Sequence, residues 1–197
     1  VLVTGADGFI AKNLIERLSR TGNIDVIEFN RNSSISDLKV CINDLDFIFH
    51  LAGINRPKNN DEFYKGNSNL TKQLVDVIED SNNYIPILLS SSTQVKYDND
   101  YGKSKLESEN YVKDYSDRNN IPAFIYRLPG VFGKWCKPNY NSVIATWCYN
   151  IANDLDITVN DVNICLDLVY IDDVIDSFIK ELNQETSNFD CKIETIY

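Results

Sequence analysis

The sequence predicts a doubly wound α/β domain, a parallel sheet covered by helices on both faces. Three observations carry this. Short apolar runs recur at 1–4, 25–29, 46–51, 86–89 and 123–128; the last four are separated by intervals long enough for helices; and the first run stops at glycine and passes straight into a helical stripe. Parallel strands need a crossover between them, and such crossovers are right-handed almost without exception.

Taken in order, residues 1–4 form the first strand, Gly5 ends it, and Ile10, Leu14 and Leu18 follow at helical spacing. Residues 25–29 and 46–51 are the second and third strands. Leu70, Leu74, Val77 and Ile78 stripe a helix that leads to the strand at 86–89. Residues 101–115 read as another helix, followed by the strand at 123–128. After Pro129 the character changes: Gly130, Gly133 and Pro138 punctuate a loop rich in Lys, Trp, Cys and Asn, and a helix is predicted over 142–153. Trp147, Cys148 and Ile151 on that helix are expected in the core. Residues 138–179 contain no Lys or Arg, and Asp154, Asp156, Asp161, Asp167, Asp172, Asp173 and Asp176 lie within them at spacings that match no cation loop. A solvated acidic face is expected there, and no metal site.

Composition bounds the function. The chain has 197 residues, 43% hydrophobic and 24% charged, enough for one core of ordinary size. Its 19 Lys and Arg against 29 Asp and Glu give a net charge of −10, which repels nucleic acid and anionic membranes, so an anionic ligand must meet a local basic site. Five scattered cysteines and a single histidine, His50, argue against a disulfide framework or a structural zinc. No leader and no membrane span is read, which makes the cytoplasm the expected compartment. Met is absent and the first residue already lies in an apolar run, so the initiator at least is expected to be missing, and truncation at both ends is compatible with this reading.

In Thr4-Gly-Ala-Asp-Gly-Phe-Ile-Ala11 the glycines fall where strand turns into helix, a G-x-x-G-x-x-A pattern. Glycine there lets the backbone approach a pyrophosphate seated on the helix N-terminus, and Gly5, Asp7, Gly8, Phe9 and Ile10 are the candidate contacts. At the end of the second strand, Asn30 stands where an acidic residue would bind ribose hydroxyls, and Arg31 follows it. A guanidinium there suits the extra phosphate of NADP, which is therefore favoured over NAD.

Tyr101 and Lys105 are one helical turn apart and share a face. The lysine charge is expected to lower the phenol pKa, helping Tyr101 exchange a proton with an alcohol or carbonyl oxygen while hydride moves at carbon. Ser90-Ser91-Ser92 ends the preceding strand and brings a hydroxyl to the same edge of the sheet. His50, at the end of a buried strand, reads as a packing and hydrogen-bonding residue, and Cys136 has nothing near it that marks a nucleophile.

With the glycine turn, His50-Leu-Ala-Gly53, the serine triplet, Tyr101/Lys105 and Arg127-Leu-Pro-Gly-Val-Phe-Gly133, the chain resembles the extended short-chain dehydrogenases/reductases of the nucleotide-sugar type, a Rossmann-like fold. The resemblance implies that Ser92 is the catalytic hydroxyl, Tyr101 the general acid or base, and Lys105 the residue that binds the nicotinamide ribose and tunes Tyr101. It adds Leu51, Ala52, Gly53 and Pro129 as cofactor contacts, and a homodimer built on the helix at 101–115.

The stretch Phe132-Gly-Lys-Trp-Cys-Lys-Pro-Asn-Tyr-Asn-Ser-Val-Ile-Ala-Thr-Trp147 is similar to bacterial capsular-polysaccharide reductases acting on UDP-2-acetamido-2,6-dideoxy-hexos-4-uloses. That resemblance implies an NADPH-dependent reduction leading toward UDP-N-acetyl-L-fucosamine, and a carboxy-terminal cupin domain not present here. Residues 1–128 would then hold the cofactor and 129–197 would contribute substrate-binding elements. Physically, Lys134 and Lys137 offer ammonium groups to a diphosphate, Trp135 or Tyr140 a stacking face, and Asn139 and Asn141 hydrogen bonds.

Two departures matter. Gly130 replaces the Asn that many nucleotide-sugar members carry, so that substrate contact does not transfer; and Thr93-Gln94 stand where dehydratases have Asp-Glu, which disfavours dehydration. A nucleotide-sugar C4 epimerase that recycles its nicotinamide, and a non-catalytic NADP-binding regulator, are the alternatives.

Overall fold

A computed structural model describes residues 1–140, 142–159 and 161–196. The chain runs β1 (Leu2–Thr4), α1 (Phe9–Thr21), β2 (Ile27–Phe29), α2 (Ile35–Cys41), β3 (Ile48–His50), α3 (Asp61–Gly66), α4 (Ser68–Ser81), β4 (Ile87–Ser92), α5 (Asp100–Asn119), β5 (Ala123–Leu128), β6 (Gly130–Phe132), α6 (Val143–Ala152), β7 (Leu168–Tyr170), α7 (Ile171–Lys180) and β8 (Asn188–Cys191). Six strands form one parallel sheet in the order β2-β1-β3-β4-β5-β8, and β6 and β7 make a separate parallel pair.

The pleat explains why these strands read as continuous apolar runs. Successive residues point to opposite faces, and here both faces are covered. Leu2, Ile48 and Ile87 face a core completed by Leu38, Leu74, Ile78 and Tyr115 from α2, α4 and α5. Val3, Phe49 and Leu88 face the other core, with Leu14 and Leu18 of α1 and Val174 and Phe178 of α7. The chain winds outward from β1 to β2, then returns to place β3 on the other side of β1. The crevice above β1 and β3 is thus the switch point at which doubly wound sheets bind ligands.

The doubly wound reading is borne out, and the five expected strands form where their apolar runs fall, with β4 running on to Ser92. The structure adds what those runs did not announce: β6, β7 and β8 are only three or four residues long. One expectation is corrected. Trp147, Cys148 and Ile151 are not core residues: Cys148 and Ile151 are exposed, Trp147 is half-buried, and no residue of α6 is buried. The reason is that α6 is backed by a loop and not by a sheet. Trp147 Nε1 donates to the Thr158 carbonyl at 3.2 Å and Asn150 Nδ2 to that of Asp156 at 2.8 Å. The seven aspartates from Asp154 to Asp176 are all exposed, with Asp176 paired to Arg17 of α1. All five cysteines are free. Among the described residues, no helix is long and apolar enough to cross a membrane.

Candidate active site

The floor of the crevice is bare backbone. Gly5 has φ +68°, and a β-carbon on it would stand 2.7 Å from the α-carbon of Ala52 and 2.9 Å from its nitrogen, so a side chain is excluded both by conformation and by space. Gly8 N–H donates to the Gly5 carbonyl at 2.8 Å and caps α1, whose first turn carries neither an acidic residue nor a side-chain cap. The orphan N–H groups of that turn and its positive dipole end suit an anion. This arrangement fits a dinucleotide pyrophosphate. Asp7 is exposed, and Phe9 and Ile10 are half-buried against the core.

Beneath the floor, His50 is held in a continuous chain of hydrogen bonds. Ala52 N–H donates to Thr4 Oγ1 at 3.1 Å, Thr4 Oγ1 lies 2.8 Å from His50 Nδ1, His50 Nε2 lies 2.9 Å from Thr71 Oγ1, and Thr71 Oγ1 donates to the Asn67 carbonyl at 2.9 Å. The single hydroxyl proton of Thr71 is committed to Asn67, so Nε2 must be the donor and Nδ1 the acceptor from Thr4. Burial, with some help from the Lys105 charge, pushes the imidazole down to about 3. His50 is therefore neutral and structural, as its strand position suggests.

The carboxyl end of β4 meets the first turns of α5. Ser92 is buried, and its hydroxyl accepts from Gln94 N–H at 3.2 Å, opening a tight turn, Thr93–Lys96. Asn99 caps α5 by accepting from Gly102 N–H at 2.7 Å. Gly102 itself is required by close approach: a β-carbon there would overlap the Gln94 carbonyl oxygen and stand 2.9 Å from that of Tyr97. This contact seats Tyr101 beside Ser92.

Lys105 is buried and donates from Nζ to the Ser90 carbonyl at 2.6 Å. Burial pushes its ammonium down to about 8, opposed by the charge of Glu109. Tyr101 does not behave as the spacing suggests. Burial raises its phenol pKa, and the group that opposes the rise is the Ser92 hydroxyl, not Lys105. The expected lowering by lysine is absent because the Lys105 ammonium is turned to the strand carbonyl.

Asn67 escaped the sequence reading. It is buried at the start of α4, accepts from Ile54 N–H at 2.8 Å, and donates to the Ile54 carbonyl at 3.1 Å and to Ser104 Oγ at 2.9 Å. It thereby clamps Ile54, directly after the segment Leu51-Ala52-Gly53, to α5. A β-carbon on Gly53 would lie 3.1 Å from Asn67 Oδ1 and 3.5 Å from Lys105 Nζ, so cofactor-loop and lysine candidates do come together. The clue was an Asn one turn ahead of a helical stripe, too common a pattern to single out.

The remaining candidates are spread around this centre. Asn30 folds a turn at the end of β2, its side chain accepting from Asn32 N–H at 2.9 Å, and Arg31 projects into solvent. Pro129 and Thr93 line a cleft of about 300 Å³ between the ends of β4, β5 and β8. The 134–140 loop is tethered to α1 through Asn13 Nδ2, which donates to the Lys134 carbonyl at 3.0 Å. Lys134 Nζ stands 3.7 Å from Glu16 and 4.0 Å over the ring of half-exposed Trp135. Tyr140 instead reaches Asn55, 3.3 Å from its hydroxyl, with the Arg56 guanidinium 5.2 Å over its ring. Arg56 is a cation the sequence reading passed over. Lys137 and Asn139 are exposed, and Asn141 lies outside the described residues. Among the described residues, Lys134 thus turns to α1 and Tyr140 to the segment after β3.

Comparison with known proteins identifies the family. The chain is 46% identical over 188 residues to the UDP-2-acetamido-2,6-beta-L-arabino-hexul-4-ose reductase of Pseudomonas aeruginosa, a match covering 95% of this chain and 50% of that protein. The capsular polysaccharide assembling protein CapF from Staphylococcus aureus superposes with a TM-score of 0.83 at 40% identity, over 99% of this chain and 54% of the other. The UDP-glucuronic acid 4-epimerase from Bacillus cereus, solved in complex with NAD, shares the fold with a TM-score of 0.83 at 20% identity, over 98% of this chain and 79% of its own. The chain therefore spans about half the length of the curated relative it matches. The model of the NAD dependent epimerase/dehydratase family matches residues 1–190, and with its switch-point crevice and Ser-Tyr-Lys edge the chain belongs to that family.

Proposed function

We propose that this chain reduces the C4 keto group of a UDP-2-acetamido-2,6-dideoxy-hexos-4-ulose with NADPH, in the synthesis of a capsule or surface polysaccharide precursor. The observation that carries the reading is the meeting of Ser92, Tyr101 and buried Lys105 at the carboxyl edge of β4, beside a crevice floored by Gly5 and Ala52. The name of the Pseudomonas aeruginosa relative supports the substrate class. A nicotinamide bound there supplies the hydride.

The chain's own residues then do the following. Gly5, Gly8 and the first turn of α1 receive the pyrophosphate, and the segment 51–53 and Pro129 border the cofactor. Arg31 beside Asn30 favours a 2′-phosphate, hence NADP over NAD. Ser92 donates a hydrogen bond to the C4 oxygen, and Tyr101, kept protonated by burial, delivers the proton as negative charge develops there. Lys105, held at the end of β4 by the Ser90 carbonyl, binds the nicotinamide ribose. In this reading residues 1–128 hold the cofactor, residues 129–197 contribute to the UDP-sugar site through Lys134, Trp135, Lys137, Asn139, Tyr140 and Asn141, and the protein acts as a cytoplasmic homodimer.

The test is to supply the protein with a UDP-4-keto-6-deoxy-N-acetylhexosamine and, separately, NADPH or NADH. Oxidation that prefers NADPH, with a sugar product two mass units heavier, is expected. A sugar product of unchanged mass with no net NADPH consumption would replace the reductase reading with epimerisation.

A further inference from the structure

On the face of α5 that carries Tyr101 and Lys105, the next position at the same spacing is Glu109, and its side chain is wholly buried. A carboxylate withdrawn from water is costly unless it is paired and fully bonded. Glu109 is both. Arg127 of β5 donates from Nε to Oε1 at 2.9 Å and from Nη2 to Oε2 at 2.6 Å, Ser91 Oγ donates to Oε1 at 2.6 Å, and Lys113 stands 3.6 Å from Oε2. Burial by itself would raise this carboxyl, but Arg127 and Ser91, with Lys113, hold it below the usual carboxylate range.

The position of Ser91 gives this cluster its meaning. Its neighbours on the strand are Ser90, whose carbonyl Lys105 holds, and Ser92, whose hydroxyl bears on Tyr101. Three consecutive residues at the end of β4 are thus each engaged by a different turn of α5: Ser92 by residue 101, Ser90 by residue 105 and Ser91 by residue 109. The groups that bear on Lys105 are Glu109 from its own helix, neutral His50 from β3, the amide of Asn67 across Gly53, the Ser90 carbonyl from β4 and, through Glu109, Arg127 from β5, while the Tyr101 phenol lies one turn away on the same helix. Glu109 is the negative charge in that set.

We infer that Glu109 and Arg127 form a positioning pair for the Ser92–Tyr101–Lys105 centre, holding the end of β4 in register on α5 and setting, through the balance of their two charges, how readily Lys105 stays an ammonium. The inference rests on the catalytic reading of those three residues. A purely structural ion pair would respond in the same way to the loss of either member. A charge-setting pair responds with opposite signs, because Glu109 favours the ammonium and Arg127 offsets Glu109.

The experiment follows the lysine directly. In the full chain with 13C-labelled lysines, the Lys105 side-chain resonance, assigned by its loss in Lys105→Arg, is titrated by NMR in the native protein, in Glu109→Gln and in Arg127→Gln. The Lys105 midpoint is expected to fall by about one pH unit in Glu109→Gln and to rise in Arg127→Gln. With NADPH and the UDP-4-keto sugar, the alkaline limb of kcat is expected to move in the same two directions, with KM changing less than kcat. Shifts of the same sign, or none, would overturn the inference. If Glu109→Gln does not fold, Arg127→Gln alone decides the sign, since Glu109 keeps Ser91 and Lys113 in that variant. Opposite shifts in a native protein that does not oxidise NADPH would leave the pairing standing and remove the reductase reading.

Discussion

Gly102 lies against Gln94 so closely that a β-carbon on it would overlap the Gln94 carbonyl oxygen. The residue directly after the proposed acid is therefore the hinge on which α5 meets the turn after Ser92. In Gly102→Ala, the gain in helix propensity is about 1 kcal/mol. The overlap is with backbone, which cannot swing aside, and overpacking of this kind costs about 1–3 kcal/mol. The overlap should win. Chemical denaturation is expected to show net destabilisation, and kcat should fall as Tyr101 is carried away from Ser92. A variant of native stability and activity would mean that the turn yields more easily than this packing allows.

Tyr101→Phe removes one hydroxyl and leaves the ring on Phe63, 5.5 Å away centre to centre. A positioned acid contributes about 10²–10⁴-fold. Turnover with NADPH and the UDP-4-keto sugar should drop by a factor in that range while calorimetry shows NADPH binding retained. Near-native turnover would take Tyr101 out of the chemistry.

His50 makes stability fall in mild acid. Burial, helped by the Lys105 charge, pushes its imidazole from the ordinary 6.5 down to about 3 in the native protein. Between those limits the unfolded chain binds a proton that the native protein does not. The contribution of this group is therefore intact above pH 6.5 and is lost by about 1.4 kcal/mol per pH unit as pH falls toward 3. Urea unfolding between pH 7 and pH 5 should show a shallower loss in His50→Gln than in the native protein, whatever the variant's absolute stability. Equal slopes would mean that His50 reaches solvent and titrates normally.

Arg31 is exposed and sits next to Asn30 where β2 ends. A charge-assisted contact to a phosphate is worth about 1.5–3 kcal/mol. In Arg31→Ala, titration calorimetry should show NADPH affinity reduced about 10- to 100-fold and NADH affinity nearly unchanged. Equal losses for both cofactors would assign Arg31 to a contact they share, and no loss for either would remove it from the site.

What can be read from the sequence has a local signature. Ile87-Leu-Leu89 announces a strand, and Gly5 and Gly8 announce the turn, because in each case the physical demand falls on neighbouring residues. Tyr101 and Lys105 are legible for the same reason, being one turn apart. The tuning of the phenol is not, because it depends on where the Lys105 ammonium points, and that is decided by the Ser90 carbonyl on another element. Asn67, Gly102 and the Glu109–Arg127 pair are invisible because each answers to a partner brought near only by folding. The misplacing of Trp147, Cys148 and Ile151 has a similar root: an apolar helix announces that it has something to pack on, but not whether the neighbour is a sheet or a loop.

Gly5 and Ala52 meet main chain to main chain, and main chain is the one part of a protein that substitution leaves chemically the same. A ligand resting there meets amide groups whose identity does not vary from one sequence to another. On the proposed reading, discrimination between ligands is exercised at the margins, by groups such as exposed Arg31 that can vary without disturbing the bed beneath. The crevice in this way separates grip from choice, leaving each open to change without the other.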